Sequence, residues 1–230
     1  VDNLAISSER ALDIAQSRYE DIHELIASGG LSDDELRAVE SMYDAVVSHV
    51  DHCVGQLYDA IRRHDDDTIL VITADHGDLL GEHDLAGHKL VLDDALIHVP
   101  LVTHNLDGVE DHIDNVVQHN DVMKTILTHI GAETDQFEGL DLDSESRELA
   151  VAQRSGHNAQ QNLKQIQEHD SGYVPPIHHP DMLTAFRSAE YKLLYSEDAV
   201  ELFALPDEGT DRTEDYPDVH EEMVSAARRW

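Results

Sequence analysis

The feature that most constrains this chain is a run of six residues, Thr68-Ile69-Leu70-Val71-Ile72-Thr73, together with the residues that follow it. The run is continuous and mostly β-branched, with the acidic turn Asp65-Asp66-Asp67 before it and Gly77 shortly after. A strand without polar alternation has to be covered on both faces, so the run predicts a strand in a parallel sheet packed between helices. Thr73-Ala74-Asp75-His76-Gly77-Asp78 then leaves that strand at its carboxyl end, the edge where open α/β sheets bind ligands. Adjacent carboxylate and imidazole groups offer two ligands to a divalent ion. Gly77 lets the backbone turn away while staying close to whatever is bound. Alone, an Asp-His pair is a weak signal, because many surface loops contain one.

Helical periodicity flanks the strand. Ser7 or Ser8 can cap a first helix with Leu12, Ala15, Tyr19, Ile22 and Ile26 on one face and Gly29-Gly30 as its stop. Ser32-Asp33-Asp34-Glu35 has capping-box spacing. Leu36, Val39, Tyr43, Val46, Val50, Val54, Leu57 and Ile61 follow at helical period, predicting an amphipathic helix of about 30 residues. Val99 to Thr103 is a second short strand with Pro100 near its start, and Asn120 can cap a helix that Gly131 ends. Residues 133–180 mix Gln, Asp, His and Pro and read as an irregular linker or insertion between a core of residues 1–132 and a small α+β unit of residues 181–230. In that unit Thr184-Ala185-Phe186, Tyr191 to Tyr195 and Glu201-Leu202-Phe203 read as short antiparallel strands, finished by a helix from Asp218 to Trp230.

Charge narrows the partners. Asp and Glu number 49 against 15 Lys and Arg, a formal net charge of -34, which excludes nucleic acid and anionic membranes as partners. Such a chain repels itself in dilute buffer, whereas at 1 M salt the Debye length falls to roughly 3 Å. The composition suits a salt-rich, haloarchaeal-like cytoplasm, and the carboxylates are interleaved with periodic apolar residues instead of forming a disordered tail. Cys53, the single cysteine, permits no intrachain disulfide and reads as a small buried hydrophobe on a helix. Among the 17 histidines, His98, His119, His157, His178 and His179 match no compact zinc pattern and read as polar surface. No apolar run reaches membrane-span length, and Val1-Asp2-Asn3 does not begin a signal peptide. The missing initiator Met leads us to expect a fragment or a processed product.

The Asp75-His76 pair gains weight from its continuation: Leu79-Leu80-Gly81-Glu82-His83-Asp84-Leu85-Ala86-Gly87-His88-Lys89, then Leu92-Asp93-Asp94-Ala95-Leu96-Ile97-His98-Val99-Pro100-Leu101-Val102. Together these residues resemble the sulfatase pattern of the alkaline phosphatase superfamily: a strand, Asp-His-Gly-Glu/Asp, Leu-Gly-Glu-His, a Gly-His or Lys pair, and a Val-Pro-Leu strand. Val50, Asp51, Val54 and Gly55 are similar to a family helix carrying Val-Asp-x-x-Val-Gly, and Asn120 to Thr125 to its Asp-x-x-Pro-Thr helix start. Phe186-Arg187, Tyr191-Lys192-Leu193 and Glu201 to Leu205 are similar to its terminal strands. The resemblance implies an α/β fold: an alkaline phosphatase-like sandwich of a mostly parallel sheet between helices, with a small C-terminal antiparallel sheet plus helix. It implies Asp75 and His76 as ligands of a divalent metal, Ca²⁺ with Mn²⁺ or Mg²⁺ as alternatives, and a basic residue contacting a small-molecule sulfate or phosphate ester. Counting from Asp75 puts His88 at that basic position, whereas Lys89 has the ammonium that many members use. Glu82 and His83 are expected to buttress the loop.

The departure from the family is large. No Cys/Ser-x-Pro-x-Arg nucleophile segment is present, and Cys53, followed by Val54-Gly55-Gln56, cannot take that role. The leading expectation is therefore the C-terminal part of a metal-dependent sulfuric ester hydrolase without its nucleophile-bearing half. Phosphodiester or phosphonate ester hydrolysis is the enzymatic alternative. A catalytically inactive module that binds a partner or has a structural role is the alternative from another class.

Overall fold

Local rules place the longest element as expected. The Glu35 carboxylate accepts from the Ser32 backbone N–H at 3.1 Å and from the Ser32 hydroxyl at 2.7 Å, and helix Asp33–His64 begins there. In this computed structural model, residues 7, 9, 11–13, 16, 22–65, 67–106, 112–175 and 181–230 are described. The elements are α1 (Ile22–Ala27), α2 (Asp33–His64), β1 (Leu70–Thr73), β2 (Leu79–Leu80), a 3-10 turn (Glu82–Asp84), β3 (Ala86–Gly87), α3 (Asp94–Ile97), β4 (Leu101–His104), α4 (His119–His129), β5 (Ala150–Arg154), α5 (Gly156–His169), β6 (Leu183–Arg187), β7 (Tyr191–Tyr195), β8 (Val200–Ala204) and α6 (Pro217–Ala227). Among the described residues no helix is long and apolar enough to cross a membrane.

The α/β class is observed, and so is the C-terminal antiparallel sheet plus helix: β5-β6-β7-β8 in that order, all neighbours antiparallel, with α6 packed on it. Two-residue periodicity gives that sheet two buried faces. Leu183, Ala185, Leu194 and Phe203 pack against Leu92, whereas Phe186, Leu193 and Leu202 pack against Met223 of α6. Lys192 shares the first face and is fully buried; its ammonium donates to the Leu92 carbonyl at 2.9 Å and pairs with Glu208 and, at 3.6 Å, with Asp94. Asp94 also takes two bonds from the Arg187 guanidinium, at 3.0 and 3.2 Å, so the 92–94 strap is fastened to the sheet by charge. Burial pushes the Lys192 ammonium below its ordinary value, against the pull of Asp94 and Asp93.

Several expectations are corrected at the level of elements. Among the described residues Leu70–Thr73 has no parallel neighbour: it pairs antiparallel with Leu101–His104, and its residues are half-buried or exposed. A continuous apolar run reports that a strand seeks cover, not which way its partner runs. The periodicity of α2 was correct, yet only Ala38 and Val39 on it are buried, while Val46, Val50 and Leu57 are more than half exposed. Cys53 is exposed, its sulfur 3.7 Å from His49 Nε2. Leu12 is exposed and Ala11 is buried in its place, whereas Ala15 and Tyr19 lie outside the described residues. Helix α4 is capped two residues before Asn120, with Asp121 accepting from the Gln118 backbone at 2.8 Å. Residues 133–180, expected to be irregular, contain β5 and α5; the buried Ile166 of α5 packs into the core formed by Ile26, Leu79, Leu85, Leu90, Val91 and Leu96.

That core carries the segment after β1. Helix α1 packs on α5, β2 pairs with β3, and the hairpin loop between them turns through positive φ at Gly81 (121°), His83 (57°) and Asp84 (57°). A separate brace holds α4. The fully buried Asp121 accepts from the Leu140 backbone at 2.8 Å and from both sides of the Arg147 guanidinium. Burial raises the Asp121 pKa, but the Arg147 and backbone hydrogen bonds outweigh it and hold the carboxyl below its usual range.

Candidate metal and anion site

The site is built where β1 ends. The Gly77 N–H donates to the Leu96 carbonyl at 2.9 Å, and a Cβ at Gly77 would lie 2.0 Å from the Ala95 carbonyl oxygen, so the chain passes α3 at a distance only glycine allows. This contact fixes the peptide on which Asp75 and His76 hang. Asp75 Oδ1 accepts from the His76 backbone N–H at 3.0 Å; that bond, with the neighbouring imidazole, holds the carboxyl below its usual pKa. Its side chain is 90% exposed.

The His76 ring is oriented by its own loop. Nδ1 lies 2.8 Å from the Gly77 carbonyl, which can only accept, so Nδ1 carries a proton and Nε2 is the nitrogen turned toward Asp75 Oδ2, 3.8 Å away. A metal-binding histidine is commonly held this way, with its second nitrogen on a carbonyl. The His88 ring lies against the His76 ring, centroids 4.4 Å apart, and its Nδ1 faces Asp78 Oδ1 at 3.4 Å. His76, Asp78 and His88 each present one ligand atom within 4.8 Å of the other two. Nitrogen and carboxylate donors at this spacing suit a divalent cation.

The loop that returns His88 to β1 is supported from behind. Glu82 accepts from the Leu80 N–H at 2.6 Å, and His83 Nε2 meets Asp93 Oδ2 at 2.8 Å. Asp93 is buried, which raises its pKa, but the His83 and Ala95 hydrogen bonds and the nearby Lys192 charge more than compensate and keep it ionised. Glu82 and His83 thus act on the loop rather than on the cleft.

Asp75, His76 and His88 line one cleft of about 1410 Å³, together with Arg154 and Arg187. Lys89, the competing basic residue, is half-buried and does not line it. Among the described residues, the cleft's only acidic lining groups are Asp75 and Asp114, in a chain with 49 carboxylates. The cleft is therefore an acid-poor pocket in an acidic surface, suited to an anion.

Sequence reasoning missed Asp78 and His119. Asp78 lies two residues beyond His76, but its place beside His88 depends on the β2–β3 return, which no local pattern announces. His119 Nε2 is 3.1 Å from Thr73 Oγ1 and, like His98, lines the cleft, whereas the sequence alone reads both as polar surface. His157 lies on α5, and His178 and His179 fall outside the described residues.

Residues 14–132 match the sulfatase family. Over 110 residues the chain is 31% identical to a multifunctional alkaline phosphatase superfamily protein of Trinickia caryophylli, an alignment covering 45% of this chain and 21% of that protein. Over 137 residues it is 28% identical to an uncharacterized sulfatase of Escherichia coli strain K12, covering 58% of this chain and 26% of that one. Among solved structures, the phosphonate monoester hydrolase of Agrobacterium radiobacter superposes with a TM-score of 0.68 at 20% identity, covering 86% of this chain and 42% of the other. The likeness shows the alkaline phosphatase-like fold, and the chain spans less than half the length of that structure.

Proposed function

The chain belongs to the sulfatase family, and from that premise we propose that it is the metal- and anion-binding part of a metal-dependent sulfuric ester hydrolase. The observation that carries this reading is the end of β1, where Asp75 offers an exposed carboxylate, the Gly77 carbonyl orients His76 through Nδ1, and His88 borders the acid-poor cleft. In this reading Asp75 and His76 are ligands of a divalent cation, for which the family resemblance implies Ca²⁺, with Mn²⁺ or Mg²⁺ as alternatives. When bound, such a cation neutralises ester oxygens and lowers the cost of the charge that develops on them. His88, rather than Lys89, donates to an ester oxygen, because His88 lines the cleft and Lys89 does not. The nucleophile comes from residues outside this sequence. The -34 charge supports a salt-rich cytoplasm as its setting.

A phosphonate or phosphodiester substrate is the second reading, favoured by the likeness to the phosphonate monoester hydrolase. The test is turnover in molar salt with Ca²⁺ or Mn²⁺. The 230-residue chain alone is expected to hydrolyse neither aryl sulfate nor bis-aryl phosphate, and robust turnover by it would overturn the external nucleophile. Joined to an upstream segment carrying Cys/Ser-x-Pro-x-Arg, it is expected to hydrolyse the aryl sulfate; hydrolysis of the phosphorus ester alone would move the substrate to the second reading. An inert joined polypeptide would leave an inactive module.

A further inference from the structure

We propose that Arg154, at the end of β5, together with Ser155 and Asn158 at the start of α5, forms a second anion subsite in the cleft, so that the preferred ester carries a carboxylate or sulfate group on its organic part. The inference deepens the function proposed above and rests on it for the ester itself. It makes Arg154 a specificity-determining residue, on a wall built by a different part of the chain from the end of β1.

Room and charge both point to that wall. A small-molecule pocket commonly measures about 300–1,000 Å³, and this cleft, at about 1410 Å³, is larger. An ester group alone fills a minor part of it, so the organic part reaches the wall that the C-terminal sheet and α5 supply. Among the described residues that wall contributes Arg154 and Arg187 and no carboxylate. Arg187 belongs to the frame: Asp94 takes two bonds from its Nε, at 3.0 and 3.2 Å, and the Ser188 carbonyl takes another from Nη1 at 3.1 Å. Arg154 is half-buried, and its planar fork matches a carboxylate or a sulfate through two parallel hydrogen bonds. Burial lowers its pKa, and a bound anion would pull it back up. Ser155 and Asn158, both exposed, add a hydroxyl and an amide as uncharged donors on the same wall. Of the two acidic lining groups, Asp114 faces His112 Nε2 at 3.1 Å, and Asp75 is assigned to the cation in the reading above.

The fold also fixes the spacing between the two subsites. The 92–94 strap follows shortly after His88 and is fastened by Arg187 and Lys192 to the sheet that carries Arg154. The walls are thereby held against sliding, and a two-anion ester is selected by its length as well as by its charge.

The binding test uses the 230-residue chain in molar KCl with Ca²⁺. The probes are phenyl sulfate, para-carboxyphenyl sulfate and hydroquinone bis-sulfate, with para-hydroxymethylphenyl sulfate as the neutral control, each also as a biphenyl analogue that reaches further. At one of the two lengths a two-anion probe is expected to bind at least about tenfold tighter than its one-anion counterpart, the usual worth of a hydrogen bond to a charged group. Whichever of the carboxylate and sulfate probes gains more identifies the second group. Arg154→Gln is expected to remove the margin and Arg154→Lys to keep part of it, with circular dichroism checking each fold. In the parent protein, nitrogen NMR of labelled arginine is expected to show the Arg154 signal moving with the two-anion probes and not with phenyl sulfate. No margin at either length, a margin that survives Arg154→Gln, an unmoved Arg154 signal, or an equal gain from the neutral control would overturn the subsite. In the joined polypeptide the margin is expected mainly in KM. Equal KM for one-anion and two-anion esters would sink the subsite and leave the hydrolase. An inert joined polypeptide, beside a 230-residue chain that still prefers the two-anion probe through Arg154, would show the reverse.

Discussion

At the scale of single residues, Gly77 has the least freedom. The absent Cβ is what lets the strand end pass the Ala95 carbonyl, and the site's two leading side chains precede that contact directly. Gly77→Ala is expected to lower stability by about 1–3 kcal/mol, the usual range for overpacking, and to displace Asp75 and His76. A thermal melt and a Mn²⁺ titration read the two effects separately; an unchanged melt would show that α3 yields more easily than the contact suggests. Asp75 and His76 stand out in the sequence as candidates because strand, turn and glycine are all local, and the structure places both beside the cleft. That His88 and not Lys89 borders the cleft is not readable in this way, since it depends on which side chain the β2–β3 return directs there. Asp78 was invisible for the same reason: its partner lies ten residues away around a loop with three positive-φ residues.

At the scale of elements, what was legible was again what is local. The Ser32–Glu35 cap and the helical period of α2 are written in neighbouring residues. The direction of β1 against β4 is not, and neither is the cover over α2's apolar stripe. Helix α5 escaped notice because its buried face rests on Ala159 and Ile166, with Leu163 between them, in an otherwise polar stretch. Lys192 illustrates the limit most sharply: the alternation of β7 is plain, yet a lysine on the buried face is explained only by the 92–94 strap and Glu208, which lie far away in sequence. Removing one partner of a buried ionic cluster leaves the others uncompensated. Lys192→Met is expected to cost about 3–5 kcal/mol, and adding Glu208→Gln to recover part of it. Denaturant melts of the single and double variants check this; equal stability of Lys192→Met and the parent would mean that the cluster contributes nothing net.

At the scale of the whole molecule, charge dominates. Ion pairs on the described residues neutralise few of the 49 carboxylates, and buried ones such as Asp121 with Arg147 and Lys192 with Glu208 brace loops against the fold instead of reducing surface repulsion. The Debye length shrinks from about 10 Å at 0.1 M to about 3 Å at 1 M, so repulsion between neighbouring carboxylates is largely screened in strong salt. Melting temperature is expected to rise between these conditions, and helical circular dichroism to fall on dialysis to low ionic strength. Coincident melts in dilute and molar KCl would sink the salt-adaptation reading.

The four-stranded sheet and the β1–β4 ladder divide this molecule unequally. Four strands, closed on one face by α6 and fastened by Lys192 on the other, form a unit expected to open only with the whole protein. The β1–β4 ladder has two strands of four residues each, and a pair of strands holds little by itself. Its amides are expected to exchange with solvent through local opening, ahead of those in β6 and β7, and native-state hydrogen exchange measures the order. The floor of the candidate site is thus the part of the chain expected to breathe, and a ligand seated on Asp75-His76 would be expected to slow that breathing as it binds.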